Sequence, residues 1–227
     1  MEIVLVRHGQ PEWVRDGRNV VDPPLTGLGL RQADAMARRL ADESFDAVFV
    51  SPLQRARQTA SPLYERLGRD EVIAPWLEEI RDPDWHGEPE EMAQQAYREL
   101  GERPVAQRWD GLVGGESIRE FTDRIHRGAD EFFAARGVRR IDGDHGLPVW
   151  SIDEPDQRIV LVAHVGTNSI TMGHLLGLTP TPWEWDRFVM GHASVSRIEA
   201  MPVHDGYTFC LSSLSSLEHV DPADRTR

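Results

Sequence analysis

A chain of 227 residues that is 40% hydrophobic is long enough to bury a sizeable core, and one α/β domain with an insertion accounts for it better than two domains. Lys and Arg number 25 against 38 Asp and Glu, a formal charge of −13, so the mean field repels nucleic acid and anionic lipid and any phosphate site must be a local concentration of cations. The single cysteine, Cys210, excludes an intramolecular disulfide, and its apolar surroundings read as a buried, inert thiol.

The first run, Ile3–Val6, is too short for a signal sequence or a membrane span, and no later run is long enough, which gives a cytoplasmic expectation. Ile3–Val6, Ala47–Val50 and Ile159–Ala163 are short, apolar and rich in β-branched residues, and each precedes a helical pattern, as strands of a parallel sheet do. After the first strand, Thr26 is the expected N-cap of a helix with Leu30, Ala33, Ala37 and Leu40 on one face. Ser51-Pro52 opens a second helix running to about Leu67. Between Glu78 and Gln157 the pattern changes, with a helix from roughly Ser117 to Arg136 and a Gly-, Pro- and Asp-rich loop from Gly137 to Gln157. Gly166 to Leu176 reads as a helix closed by Gly177. Val195–Ala200 and Tyr207–Leu211 read as a closing strand pair, and the tail from Asp221 to Arg227 as loose. The expected architecture is a three-layer α/β/α sandwich with a mostly parallel central sheet, one domain over 1–227 with a helical cap insertion at about 80–157.

Ligands of parallel α/β sheets bind beyond the carboxyl ends of the strands. Those ends here are Arg7-His8-Gly9, Ser51-Pro52-Leu53-Gln54-Arg55 and His164-Val165-Gly166-Thr167, which deliver two arginines and two histidines to one edge. Guanidinium forks match phosphate oxygens, and imidazole serves as nucleophile or charge stabiliser, so the set suits phosphoryl transfer. Gly9, with no Cβ, is expected to let the backbone approach the bound group. A carboxylic acid is still needed to protonate the leaving alkoxide and then activate water. Arg31 and Arg57 read as exposed helix residues, and His126, His174 and His192 as core or surface histidines.

The motifs resemble those of the histidine phosphatase superfamily, which also holds the cofactor-dependent phosphoglycerate mutases. The blocks run in the family's order: Leu5-Val6-Arg7-His8-Gly9, then Pro24-Leu25-Thr26 with Gly29 and Gln32-Ala33, then Ser51 through Ala60. Leu77-Glu78-Glu79-Ile80 with Trp85 and Gly87, Gly114-Gly115-Glu116-Ser117 with Arg124, and Val162-Ala163-His164-Val165-Gly166 follow. The resemblance implies that His8 accepts the phosphoryl group, that Arg7, Arg55 and His164 hold it, and that Glu79 is the general acid and base. Gly9, Gln10 and Val165 complete the expected substrate-binding set. It implies no metal and no cofactor. The sequence departs from the family pattern at Pro11, Val14, Pro83 and His86, and Asn19 or Gln10 is the candidate to replace the lost phosphate hydrogen bonds.

A bisphosphoglycerate-using mutase must hold a polyanion, and the acidic run from Glu79 to Glu91 opposes one by like-charge repulsion. A phosphomonoesterase acting on a small phosphorylated metabolite is therefore expected, ahead of a mutase or a non-catalytic phospho-ligand-binding module. Trp76, Trp85 and Trp109 are candidates for an apolar substrate wall, whereas Trp183 and Trp185 read as structural. Beyond the substrate no nucleic acid or membrane partner is expected, and a homodimer is left open.

Overall fold

A computed structural model describes residues 1–141 and 147–227. The elements follow in chain order as β1 (Glu2–Arg7), β2 (Val14–Arg15), β3 (Arg18–Asn19), α1 (Gly27–Ala41), β4 (Ala47–Val50) and α2 (Gln54–Leu67). Next are α3 (Glu90–Glu102), α4 (Ile118–Ala134), β5 (Val138–Ile141), β6 (Val149–Ile152), β7 (Arg158–Ala163) and α5 (Val165–Leu175). A short α6 (Glu184–Arg187), β8 (Val195–Val203) and β9 (Gly206–Ser216) complete the set.

The three predicted parallel strands lie side by side as β4-β7-β1, and β8, β9, β6 and β5 extend the sheet from β1 by antiparallel pairing. Alternation of side chains along a strand sends Val4, Val6, Val160 and Val162 to one face, where Met36, Ala37 and Leu40 of α1 and Ala56, Ala60 and Leu63 of α2 cover them. Ile3, Leu5, Ile159 and Leu161 point to the other face, onto Phe132 and Phe133 of α4 and Met172 and Leu175 of α5. Both faces of the parallel strands are thereby dry, which is why these segments read as continuous apolar runs.

Register decides where the site forms. Arg7 pairs with Ala163, and Val50 with Val162, so the chain leaves β1, β7 and β4 at one level of the same edge. Thr26 accepts a hydrogen bond from Gly29 N as the N-cap of α1. Ser117 and Glu120 make a reciprocal capping box at the start of α4. Gly177 ends the α5 segment at a positive φ of 70°.

Several expectations are corrected. Leu30 is exposed, and Met36 takes its place on the inner face of α1. Helix α2 starts at Gln54 with Leu53 as N-cap, which leaves Ser51-Pro52 outside it. The expected loop at 137–157 contributes β5 and β6 to the main sheet; 142–146 of that loop lies outside the described residues. Helix α3 was not expected, because none of its residues is buried and so no core-facing stripe marks it. Cys210 is only partly buried. The tail is anchored: Arg31 reaches both carboxylate oxygens of Asp224 at 3.0 and 2.9 Å, and Gln32 Nε2 donates to Asp224 O and Thr226 Oγ1.

Candidate active site

His8 follows β1 directly and is almost fully buried. Its Nδ1 lies 2.7 Å from Gly9 O, and since a carbonyl only accepts, Nδ1 carries the ring proton and Nε2 keeps its lone pair. Arg55 Nε donates to that Nε2 at 3.3 Å. Burial, reinforced by the charges of Arg55 and Arg7, holds the His8 pKa well below its ordinary value, so the ring is neutral.

Arg7, the last residue of β1, donates through NH1 to Met190 O, while NH2 lies 3.1 Å from His192 Nε2. Burial lowers its pKa to about 10, which still leaves it cationic. Arg55 is buried in the first turn of α2; its guanidinium sits 4.8 Å from the ring centre of Trp13, and NH1 is 3.7 Å from Asp22. His164, the N-cap of α5, is fully buried with its ring centre 5.1 Å from that of His8. Its Nε2 is 2.7 Å from Ser51 Oγ, and its buried Nδ1 has no partner among the described residues. Ser51 thus links the ends of β4 and β7, a contact that the strand-end argument passed over.

Glu79 follows a short 3-10 turn at Pro75–Leu77. Gly166 N, at the start of α5, donates to its Oε2 at 2.9 Å, and Ile80 N donates to Oε1 at 3.1 Å. Burial raises its pKa against the pull of those two N–H groups and of Arg55; Asp82 adds a smaller upward push. Glu78, which lines the same cavity as Glu79, is paired with Arg81. The loop is gripped from behind, because Arg124 of α4 donates to Glu78 O and Glu79 O and makes two bonds of 2.8 Å to Glu116. Glu116 is therefore a strut for the loop that carries Glu79.

The structure brings Arg7, His8, Arg55, Glu79 and Val165 to one cavity of about 720 Å³. Gly9 and Gln10 stand apart from its lining. A Cβ on Gly9 would meet Gly29 O at 2.6 Å, so the missing side chain answers a close crossing of β1's exit over α1, not an approach to ligand. Gln10 holds Thr26 Oγ1 at 2.9 Å. Asn19 lines the cavity, but its side-chain amide donates to Glu88 O and Pro89 O, tying β3 to the segment before α3.

Of the expected aromatic wall only Trp85 lines the cavity; Trp76 packs on Phe132 and Trp109 lies under Arg119. Trp183 and Trp185, read as structural, line it, as do Trp13 and Tyr97. His192, expected as a core or surface histidine, is buried; it stands against Arg7 and, through Nδ1, 2.9 Å from Thr226 Oγ1. Its place after Met190-Gly191, far from every strand end of the parallel set, gave no local signal.

A sheet edge carrying a buried and a half-buried arginine, two neutral histidines and a recessed carboxyl defines a phosphoryl-handling α/β protein. The sequence pattern described as the histidine phosphatase superfamily (branch 1) matches residues 3–141, and the chain belongs to that superfamily. It is 30% identical over 128 residues to phosphoserine phosphatase 1 of Hydrogenobacter thermophilus, a match spanning 55% of this chain and 61% of that protein. A 2,3-bisphosphoglycerate-dependent phosphoglycerate mutase of a Methylobacterium species is 30% identical over 183 residues, covering 66% of this chain and 86% of the relative. Among solved structures, a mycobacterial glucosyl-3-phosphoglycerate phosphatase superposes with a TM-score of 0.68 at 29% identity, over 95% of this chain and 99% of the other.

Proposed function

We propose that the protein is a phosphomonoesterase that works through a phosphohistidine on His8. The observation that carries the reading is the tautomer of His8: Gly9 O fixes the proton on Nδ1, which leaves the Nε2 lone pair beside the Arg55 guanidinium where a phosphoryl group would sit. Nε2 attacks phosphorus as the ester P–O bond breaks in line with it. Arg7 and Arg55 stabilise the non-bridging oxygens. The Ser51 hydroxyl donates to His164 Nε2 in this reading, so that His164 Nδ1–H, otherwise without a partner, adds a third donor. Glu79 protonates the departing alkoxide, then as carboxylate takes a proton from water. The water oxygen displaces the imidazole from phosphorus, releasing inorganic phosphate and restoring His8.

Residues 1–227 are read as one domain; of the insertion expected at about 80–157, the part ahead of α4 acts as the cap, because Trp85, Tyr97 and Arg108 line the cavity, whereas α4, β5 and β6 belong to the sheet and its covering layer. The substrate is a small phosphorylated compound, and no helix among the described residues is long and apolar enough to cross a membrane. A cytoplasmic site of action fits the free thiol of Cys210. The mutase relative keeps a second reading in play, and the carboxylates around the cavity, Asp22, Asp82, Glu90 and Asp186, argue against a bisphosphorylated ligand.

His8→Ala is expected to abolish phosphate release with the fold intact by circular dichroism, and wild type mixed with radiolabelled monoester should yield an acid-labile phosphoprotein. Undiminished turnover in His8→Ala would sink the assignment. Rapid isomerisation of phosphoglycerate with added bisphosphoglycerate, without phosphate release from any monoester, would award the site to the mutase reading.

A further inference from the structure

The cavity is much larger than a phosphate ion, and its outer walls are apolar where a phosphate site has no use for apolar surface. Trp13, Val21 and Tyr97 are 47%, 51% and 48% exposed, among the large hydrophobic side chains most open to solvent, and all three line this one cavity. Isolated exposed hydrophobics need no explanation, whereas several converging on one concavity mark a surface that a ligand covers. The aromatic groups come from separate parts of the chain: Trp13 from the loop before β2, Trp85 and Tyr97 from the segment around α3, and Trp183 and Trp185 from the turn into α6. Trp13 already stacks on the Arg55 guanidinium, and the Trp85 and Tyr97 rings meet edge to face at 6.0 Å, so the wall begins at the phosphate seat and continues outward.

Charge points the same way. Beyond Arg7 and Arg55 the lining cations are Arg81, which is paired with Glu78, and Arg108, which lies 6.0 Å from the Trp183 ring centre and donates to Gly101 O. Asp22, Asp82, Glu90 and Asp186 line the same space. A second anionic group on the substrate would face more carboxylates than cations, while an uncharged planar or alkyl group would meet indole and phenol faces.

We infer that the cavity takes phosphate monoesters of uncharged aromatic or long-chain apolar alcohols and discriminates against substrates that carry a second anionic group. This rests on the reading that a phosphoryl group seats on Arg7 and Arg55. It goes beyond that reading by setting the chemistry of the leaving group. Trp13, Trp85 and Trp183 are then specificity-determining residues, acting on the organic part and not on phosphorus.

Phosphonates bind without being cleaved, so their affinities report the cavity whether or not the protein turns over. A series of methyl-, butyl-, octyl- and 2-phenylethylphosphonate titrated by calorimetry is expected to tighten by up to about fourfold for each methylene fully buried. The 2-phenylethyl compound should bind at least tenfold more tightly than the methyl one. In Trp85→Ala and Trp183→Ala the series should flatten. Octylphosphonate should also bind more tightly than a phosphonate of equal length ending in a carboxylate. A flat series in wild type, or tighter binding of the carboxylate-ended compound, overturns the inference and makes Arg108 the anchor of an acidic substrate. Absence of binding by every phosphonate would remove the phosphate seat and this inference with it. Loss of monoester hydrolysis alongside an intact series would fell only the phosphatase reading.

Discussion

His192 sits behind Arg7, and its chemistry is fixed by what arginine cannot do. A guanidinium only donates, so the 3.1 Å contact requires a lone pair on His192 Nε2 and places the ring proton on Nδ1, facing Thr226 Oγ1. Burial and the Arg7 charge push the His192 pKa down to about 3, which keeps this arrangement across the working pH range. Thr226→Val removes the acceptor at constant size and should lower turnover by up to about tenfold, the worth of one hydrogen bond; Thr226→Ser should restore it. In an Arg7→Ala background Thr226→Val should cost nothing further. A full additional loss there would mean that Thr226 acts through the fold and not through Arg7. Glu79 makes a second residue-scale case. Burial is the main cause of its raised pKa, and its acidic neighbour Glu78 is committed to Arg81. Glu79→Gln should leave alkyl phosphates nearly unreacted yet give a burst of one aryl product per site from an activated aryl phosphate, followed by a stalled phosphoenzyme. Steady turnover of the aryl ester at the wild-type rate would remove Glu79 from the water step.

Helix α5 shows how an element sets a site as much as its side chains do. Its first turn presents Gly166 N to Glu79, and a Cβ at Gly166 would stand 2.4 Å from Glu79 Oε1 and 3.0 Å from Phe121. Gly166→Ala should therefore displace the carboxyl and reduce kcat on the order of a hundredfold, with little change in KM, because misplacement of a reacting group by about 1 Å is enough for that. An unchanged kcat would show that the loop carrying Glu79 has room to retreat despite the Arg124 and Glu116 grip. The elements that bury an apolar stripe, α1, α2 and α4, were legible because their pattern has to match the sheet they cover, whereas α5, buried on nearly every side, was legible from the strand before it and the glycine that closes it. Helix α3 and strands β5 and β6 were not. The first has no buried residue, and the others are strands of only four residues each. The run of Glu, Gln, Ala, Arg and Leu in α3 is a propensity signal that would have found it without any core to face.

Acid stability is a property of the whole molecule. Five histidines, His8, His126, His164, His192 and His219, have pKa values held below 6.5, mainly by burial, with His126 near 4 and His192 near 3. The unfolded chain takes up those protons as the pH falls through 6.5 while the folded state refuses them, so stability drops on acidification through that range. Glu79 and Asp82, with raised pKa values, act in the opposite direction, but they are two against five. Glu43 is held near 2 by Arg197, Arg158 and Arg39, and its contribution disappears only as the pH falls from about 4.5 towards 2. Calorimetric Tm should decline already between pH 6.5 and 5, with a second decline below 4.5. A Tm that stays level from pH 8 to 5 would contradict the first step.

The sequence by itself determined the parallel strands, the helices that cover them, and the delivery of Arg7, His8, Arg55 and His164 to one edge. Those follow from local periodicity and from the rule that strands of a parallel sheet end together. The place of Glu79 was legible only through resemblance, since its loop belongs to no periodic element. Tertiary structure decided the rest, and each case is a contact between segments far apart in the chain. His192 meets Arg7, and Thr226 meets His192, because β8 returns beside β1 and the tail folds back over α1. Trp183 and Trp185 became cavity wall because the turn after α5 comes to face Trp13, Trp85 and Tyr97. Gly9 proved to be a crossing point where β1's exit meets Gly29. A side chain's type and local spacing set what it is able to do; which groups it meets depends on packing that no local pattern encodes.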